Sequence, residues 1–199
     1  MQKKITNFIE SIAKLELQNT NNPYHNEIRK NNLKLYLTEL ADKKAKILLV
    51  GEAPGYQGCR LTGIAFTSEH TILTHEFFKN KGYKKTDEYE KIWKEPSGTI
   101  LWNTIENLNQ PILVWNSFPL HPYKQGNIHS NRKPTREESI IGSKYLKEII
   151  DIFKIEKVLA LGNTAKESLD KLGIKSVKIR HPSYGGKNDF VKGIKENLD

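Results

Sequence analysis

Three places along the chain set chemically capable side chains within two residues of the end of a short apolar run. The first is the turn Gly51-Glu52-Ala53-Pro54-Gly55, which follows the run Ala45–Val50. Its glycines let backbone amides approach a ligand closely, and Pro54 stiffens the bend. Glu52 brings a carboxylate able to take a proton from water. The second place is Asn116, after Ile112–Trp115, whose amide offers one donor group and one acceptor to a polar edge. The third is His181-Pro182-Ser183, after Ser176–Ile179, where an imidazole can donate to a developing oxyanion. Phe66 follows Gly63 in an otherwise small and polar segment, so its ring is placed to flank a pocket. Taken singly, each feature has an ordinary structural role as well. A glycine-rich turn can cradle a phosphate or simply join a strand to a helix. A strand-end asparagine can close a turn, and a lone histidine or phenylalanine commonly belongs to the core. No Lys-Ser/Thr pair follows the glycines, which excludes a P-loop.

These residues need a scaffold, and the apolar spacing describes one. Ile5, Phe8, Ile9 and Ile12 keep helical spacing, as do Leu33, Tyr36, Leu37 and Leu40, so two amphipathic helices open the chain. Four apolar runs, Ala45–Val50, Ile112–Trp115, Lys157–Leu161 and Ser176–Ile179, read as buried strands. Between the second and third lies a helix introduced by Pro134 and the capping-box pair Thr135 and Glu138, with a stripe of Leu146, Ile149, Ile150 and Phe153. Another helix spans Thr164 to Leu172 and stops at Gly173. Strands alternating with helices predict an α/β fold, a three-layer α/β/α sandwich around a short, mainly parallel four-stranded sheet. In such sheets ligands bind beyond the carboxyl ends of the strands, where the three chemical segments fall.

A length of 199 residues fits a single domain over 1–199, with the N-terminal helices of residues 1–43 packing on the core. No apolar stretch reaches the ~20 residues of a membrane span, and the N-terminus lacks the apolar core of a secretion signal. The single cysteine, Cys59, excludes an intrachain disulfide and a cysteine metal cluster. The expectation is a reduced, cytoplasmic monomer without metal or cofactor. The net charge of +9 is localised in two acid-free runs, Asn107 to Arg136 and Lys171 to Lys187, which together carry all of it. Such clustering favours a polyanion as partner over mere solubility.

In their order and at their strand ends, these segments resemble the uracil-DNA glycosylase superfamily. The iron–sulfur branch of that family carries GEAPG at this place, followed by G-x-P-F, which Gly63-Ile64-Ala65-Phe66 matches with Ala65 in place of the proline. The family's strand ending in a base-reading asparagine is matched by Val114-Trp115-Asn116, and its His-Pro-Ser turn by residues 181–183. The likeness spans about Lys44 to Lys187. It implies hydrolysis of the N-glycosidic bond of a flipped-out uracil in single- or double-stranded DNA, as in base excision repair. Glu52 would orient the attacking water and His181 would donate to the uracil anion. Ala53, Gly55, Phe66 and Asn116 would surround the base. Tyr184 would enter the vacated stack. Ser183, Gly185 and Lys187 would contact DNA on that side, and Tyr56, Lys124, Arg132 and Lys133 on the other. The segment His121-Pro122-Tyr123 would line the groove with Lys124.

The chain also departs from that branch. An iron–sulfur cluster is held by four thiolates, and only Cys59 is available. Tyr56-Gln57-Gly58 replaces the branch's acidic pair. Gly55 stands where another branch has a tyrosine that blocks the thymine methyl. Thymine must therefore be excluded by another side chain, Tyr56 being one candidate, or be excluded incompletely. The motifs supply no amine nucleophile, so a monofunctional, metal-independent enzyme is expected. Two rivals stay open: a DNA-binding member of the fold with weak or no catalysis, and a hydrolase of free nucleotides.

Overall fold

The structure is a computed structural model and describes residues 1–106 and 108–198. Along the chain run α1 (Gln2–Ala13), β1 (Thr20–Asn21), α2 (Glu27–Asp42), β2 (Ile47–Gly51) and the short α3 (Cys59–Thr62) and α4 (Glu69–Thr74). Next come α5 (Pro96–Ile105), β3 (Ile112–Asn116), β4 (His121–Pro122) and α6 (Arg136–Phe153). The last quarter holds β5 (Lys157–Leu161), α7 (Gly162–Lys171), β6 (Val177–Ile179) and α8 (Lys187–Leu198).

The four apolar runs make one sheet in the order β3-β2-β5-β6, with every pair parallel. Helices flank it, which is why β2 and β3 are buried at every position and read as unbroken apolar runs. The outer edge of β3 is closed by α2, because the Val114 amide donates to the buried Tyr36 hydroxyl at 2.8 Å. The four positions expected to be buried in α1 and the four in α2 are all in the core.

Two differences from the expected boundaries matter for the site. The first strand runs through Gly51 and the second through Asn116, so these two residues are register partners at the last rung of the ladder. The helix expected from Thr164 begins at Gly162, directly after β5, and brings Thr164 into its first turn. In α6 the capping box is present as expected. Its buried stripe includes Tyr145 and Ile152, while Ile150 is only partly buried.

The sequence pattern did not announce α3, α4, α5, α8 or the antiparallel β1–β4 pair. The short helices carry too few turns to display a period. The β1–β4 pair has two residues per strand, and α8 follows a Gly-rich stretch that reads as loop.

Candidate active site at the carboxyl ends of the strands

A cavity of about 1140 Å³ opens at the carboxyl ends of β2, β5 and β6. Strand order reverses between β2 and β5, the kind of position where open α/β sheets bind ligands. Glu52, Ala53, Gly55, Phe66, Lys133, His181, Ser183 and Tyr184, all singled out from sequence, line it.

The floor is set by the last rung of the sheet. A methyl group on Gly51 would come 2.3 Å from Phe66 Cε2 and 2.7 Å from Asn116 Oδ1, so only glycine lets this strand end, ring and amide meet. Asn116 is 3 % exposed and is not itself among the residues lining the cavity; it meets the Phe66 ring at Gly51, with Oδ1 buried and lacking a hydrogen-bond partner. Leaving such an acceptor empty costs about 1–3 kcal/mol, which a ligand donor would restore.

Phe66 holds a left-handed backbone (φ 53°), a conformation that a bulky residue keeps only when its surroundings impose it. The imposing contacts come from α2 and α5. Asn32 donates to the Thr62 carbonyl at 3.0 Å and Arg29 Nε to the Leu61 carbonyl at 3.1 Å. Trp102 Nε1 donates to Thr67 Oγ1 at 3.0 Å, and the Thr62 hydroxyl donates to the Thr67 carbonyl at 2.6 Å. The Phe66 ring is thereby fixed with its centroid 6.0 Å from that of His181.

The turn after β2 is tied down by its backbone. Ser117 N donates to the Gly51 carbonyl at 2.9 Å, while Ser117 Oγ and Phe118 N donate to the Glu52 carbonyl at 2.8 and 3.1 Å. The Glu52 side chain is half-buried, and burial raises its carboxyl above the usual range. A hydrogen bond from Thr164 and the charge of Lys133 oppose that rise.

His181 has a defined tautomer. Its Nδ1 accepts the Ser183 amide at 3.2 Å, so the neutral ring carries its proton on Nε2 and has one N–H left to give. Burial, and after it the neighbouring Arg180, hold its pKa below the ordinary value. Beyond it, Tyr184 is 99 % exposed, and Tyr184 and Gly185 both take left-handed backbone (φ 52° and 76°). Lys187 starts α8.

Other expected contact residues are held by bonds within the chain or lie outside the cavity. Arg132 borders the cavity, but its guanidinium is spent on Glu138 (2.7 Å to each carboxylate oxygen) and on the Asn19 and Tyr123 carbonyls. It locks the 128–133 loop to the α6 cap. Its charge at the cavity wall is thus already balanced by Glu138. His121, expected in the groove, is fully buried between the Pro54 and Ile128 carbonyls at 2.7 and 2.9 Å. Tyr56 packs edge-on against Trp93 and His129 instead of facing the cavity. Lys124 is exposed in a tight turn outside the cavity wall.

The cavity also contains residues that the motifs did not bring forward. Thr164 reaches Glu52, and Lys178 and Arg180 add positive charge. Glu95, at the start of α5, presents a second carboxyl. The signal for it was Pro96, a residue suited to the first turn of a helix, with Glu95 before it.

No group of three or more His, Cys, Asp and Glu side chains among the described residues is placed to hold a metal ion. Cys59 is buried with its thiol pushed up by burial, so an iron–sulfur cluster does not fit this chain. No helix of the described residues is long and apolar enough to cross a membrane.

A search among curated proteins finds no match. Among solved structures, the crystal structure of wild-type SMUG2 from Pedobacter heparinus is similar, with a TM-score of 0.67 at 18 % identity over 98 % of this chain and 95 % of that one. That likeness is one of fold. The family model described as the uracil DNA glycosylase superfamily matches residues 38–196. That span contains the whole four-stranded sheet and all three strand-end segments, and the chain belongs to the uracil DNA glycosylase superfamily.

Proposed function

We propose that this protein hydrolyses the N-glycosidic bond of uracil in DNA, leaving an abasic site. The observation that carries the reading is the meeting, at one end of the sheet, of an amide with an unpartnered oxygen, a fixed aromatic ring, an Nε2–H imidazole and a carboxylate. Extruding the nucleotide costs a few kcal/mol and delivers the base to these groups. Phe66 stacks on it, a contact worth ~1–3 kcal/mol per base. The empty Asn116 Oδ1 accepts uracil N3–H, and the amide nitrogen donates to O4. Cytosine inverts that pattern and leaves buried groups unpaired, so it is rejected.

As the bond breaks, negative charge gathers on uracil O2 and positive charge on the sugar. Neutral His181 donates from Nε2 to O2 without first losing a proton, a preorganised stabilisation of the kind that oxyanion holes provide. Glu52, as carboxylate, orients the attacking water and favours the cationic sugar. Lys133, Lys178, Arg180 and Lys187 supply positive potential for the phosphates, with Ser183 and Gly185 offering hydrogen bonds from the same loop. Tyr184, fully exposed at the mouth, is the side chain available to fill the vacated stack. One continuous core from Ile5 to Leu198 supports residues 1–199 acting as one unit.

The test is incubation with uracil-containing oligonucleotides, single- and double-stranded, scored for released base and alkali-labile sites. Uracil release is expected. Tight DNA binding with no base released would refute hydrolysis and favour a binding module.

A further inference from the structure

Around a pyrimidine, O2 at His181 is followed by N3 and O4 at Asn116, and the next position is C5. Of the other residues lining the cavity, Glu95 stands beside both Gly55 and the backbone of the stacking residue Phe66. Glu95 holds the N-cap position of α5, yet its side chain makes no capping hydrogen bond. It lies instead against the turn. A methyl group on Gly55 would stand 3.3 Å from Glu95 Oε1, and one on Gly58 only 2.2 Å from Oε2. On the other side, a methyl group on Gly98 would stand 3.0 Å from the same Oε2 and 2.2 Å from the Phe66 carbonyl oxygen. Three positions without side chains thus make room for one carboxyl beside the stacking residue.

That carboxyl is not explained by internal bonding. Oε2 is buried without a hydrogen-bond partner, and the Ser97 hydroxyl is the hydrogen-bonding group that reaches the side chain. Native structures rarely leave a buried polar atom unpaired, and each one calls for a specific explanation, a functional role among them. Burial pushes its acid up to about 7, so the group can stand there without a counter-ion. Tyr56, the other side chain considered for this role, is turned away into the Trp93–His129 cluster.

We propose that Glu95 is the specificity gate of the base pocket, filling the space beside Gly55 so that the C5 hydrogen of uracil is accepted and the methyl of thymine is refused. A thymine methyl would have to displace the carboxyl or bury it further without a partner. The proposal rests on the glycosylase reading above. Its mutation does not remove a helix cap, since the side chain provides none.

The experiment measures single-turnover release of uracil and of thymine, each mispaired with guanine, by wild type, E95A and E95Q. If wild type releases no uracil from any substrate, the glycosylase reading fails and takes the gate with it. If wild type releases uracil, the gate is tested on its own. E95A should then release thymine so that the uracil-to-thymine rate ratio falls by about tenfold or more, the scale at which one methyl group is discriminated. E95Q, of equal size, should hold the wild-type ratio. An E95A enzyme that still releases uracil at the wild-type ratio overturns the proposal. If E95A releases no uracil, E95D, which draws the carboxyl back by one carbon, is read in its place. An unchanged ratio in E95D, or loss of uracil release there too, overturns the gate.

Discussion

Asn116 and Phe66, which meet at Gly51, are 3 % and 8 % exposed, whereas Tyr184 at the cavity mouth is 99 % exposed. The floor is made of groups that cannot move independently: a strand end, a ring in an imposed backbone conformation and an amide, all in contact around Gly51. The mouth carries the exposed Tyr184 on a loop with left-handed backbone at residues 184 and 185, with basic side chains around it. The difference teaches how the work is divided. Discrimination between bases needs preformed, desolvated partners whose mismatch is costly. Holding a polyanion needs only positive charge within reach, which screening weakens and flexibility does not harm.

Three perturbations probe that division, beginning with the largest. Asn116→Ala and His181→Ala should each lower the single-turnover rate of uracil release by about 10²–10³, the usual cost of removing one preorganised donor. Their salt dependence of DNA binding should stay that of wild type. A change in the salt slope would mean that floor and mouth are not separable.

The second concerns Glu52 and pH. Its carboxyl is raised by burial, and in the proposed mechanism the carboxylate is the working form, so uracil release should fall as pH drops, starting above the ordinary carboxylate value of ~4.3. His181 is proposed to act as the neutral ring and its pKa is lowered, so its protonation enters only below the ordinary ~6.5. Rate–pH profiles of wild type and Glu52→Gln separate the two. The variant should be slower and should lose the Glu52 part of the acid limb. Full activity with an unchanged profile would remove Glu52 from the water-orienting role.

The smallest effects belong to the mouth. Lys133→Ala and Lys187→Ala should each reduce the slope of log Kd against log salt by about one, one phosphate contact apiece. Arg132→Ala sharpens the contrast, because its charge is already bound to Glu138. It should leave that slope alone and lower thermal stability instead, on the order of 1.5–3 kcal/mol for a lost charged hydrogen-bond set. A lower salt slope in Arg132→Ala would return it to the DNA-binding surface.

What the sequence determined by itself was whatever depends on local order along the chain. The four apolar runs, the helical stripes of α1 and α2 and the Thr135–Glu138 box are short-range patterns, and each marks an element of the structure. The placement of Glu52, Asn116 and His181 was legible because each lies within two residues of the end of an apolar run, and parallel strands deliver such residues to one edge. Only the tertiary structure decided how charges and polar atoms pair across long separations. Arg132 looked like one more basic residue until Glu138, Asn19 and Tyr123 were brought to it. Glu95 lies some forty residues from the turn that it touches (Gly55 to Glu95), in a segment with no periodic signal, and its unpartnered oxygen exists only because glycines at 55, 58 and 98 converge on it. Local sequence encodes which groups are available. Burial and non-local contact decide which of them remain unsatisfied, and in this protein the unsatisfied ones at the strand ends are those assigned to reading the base.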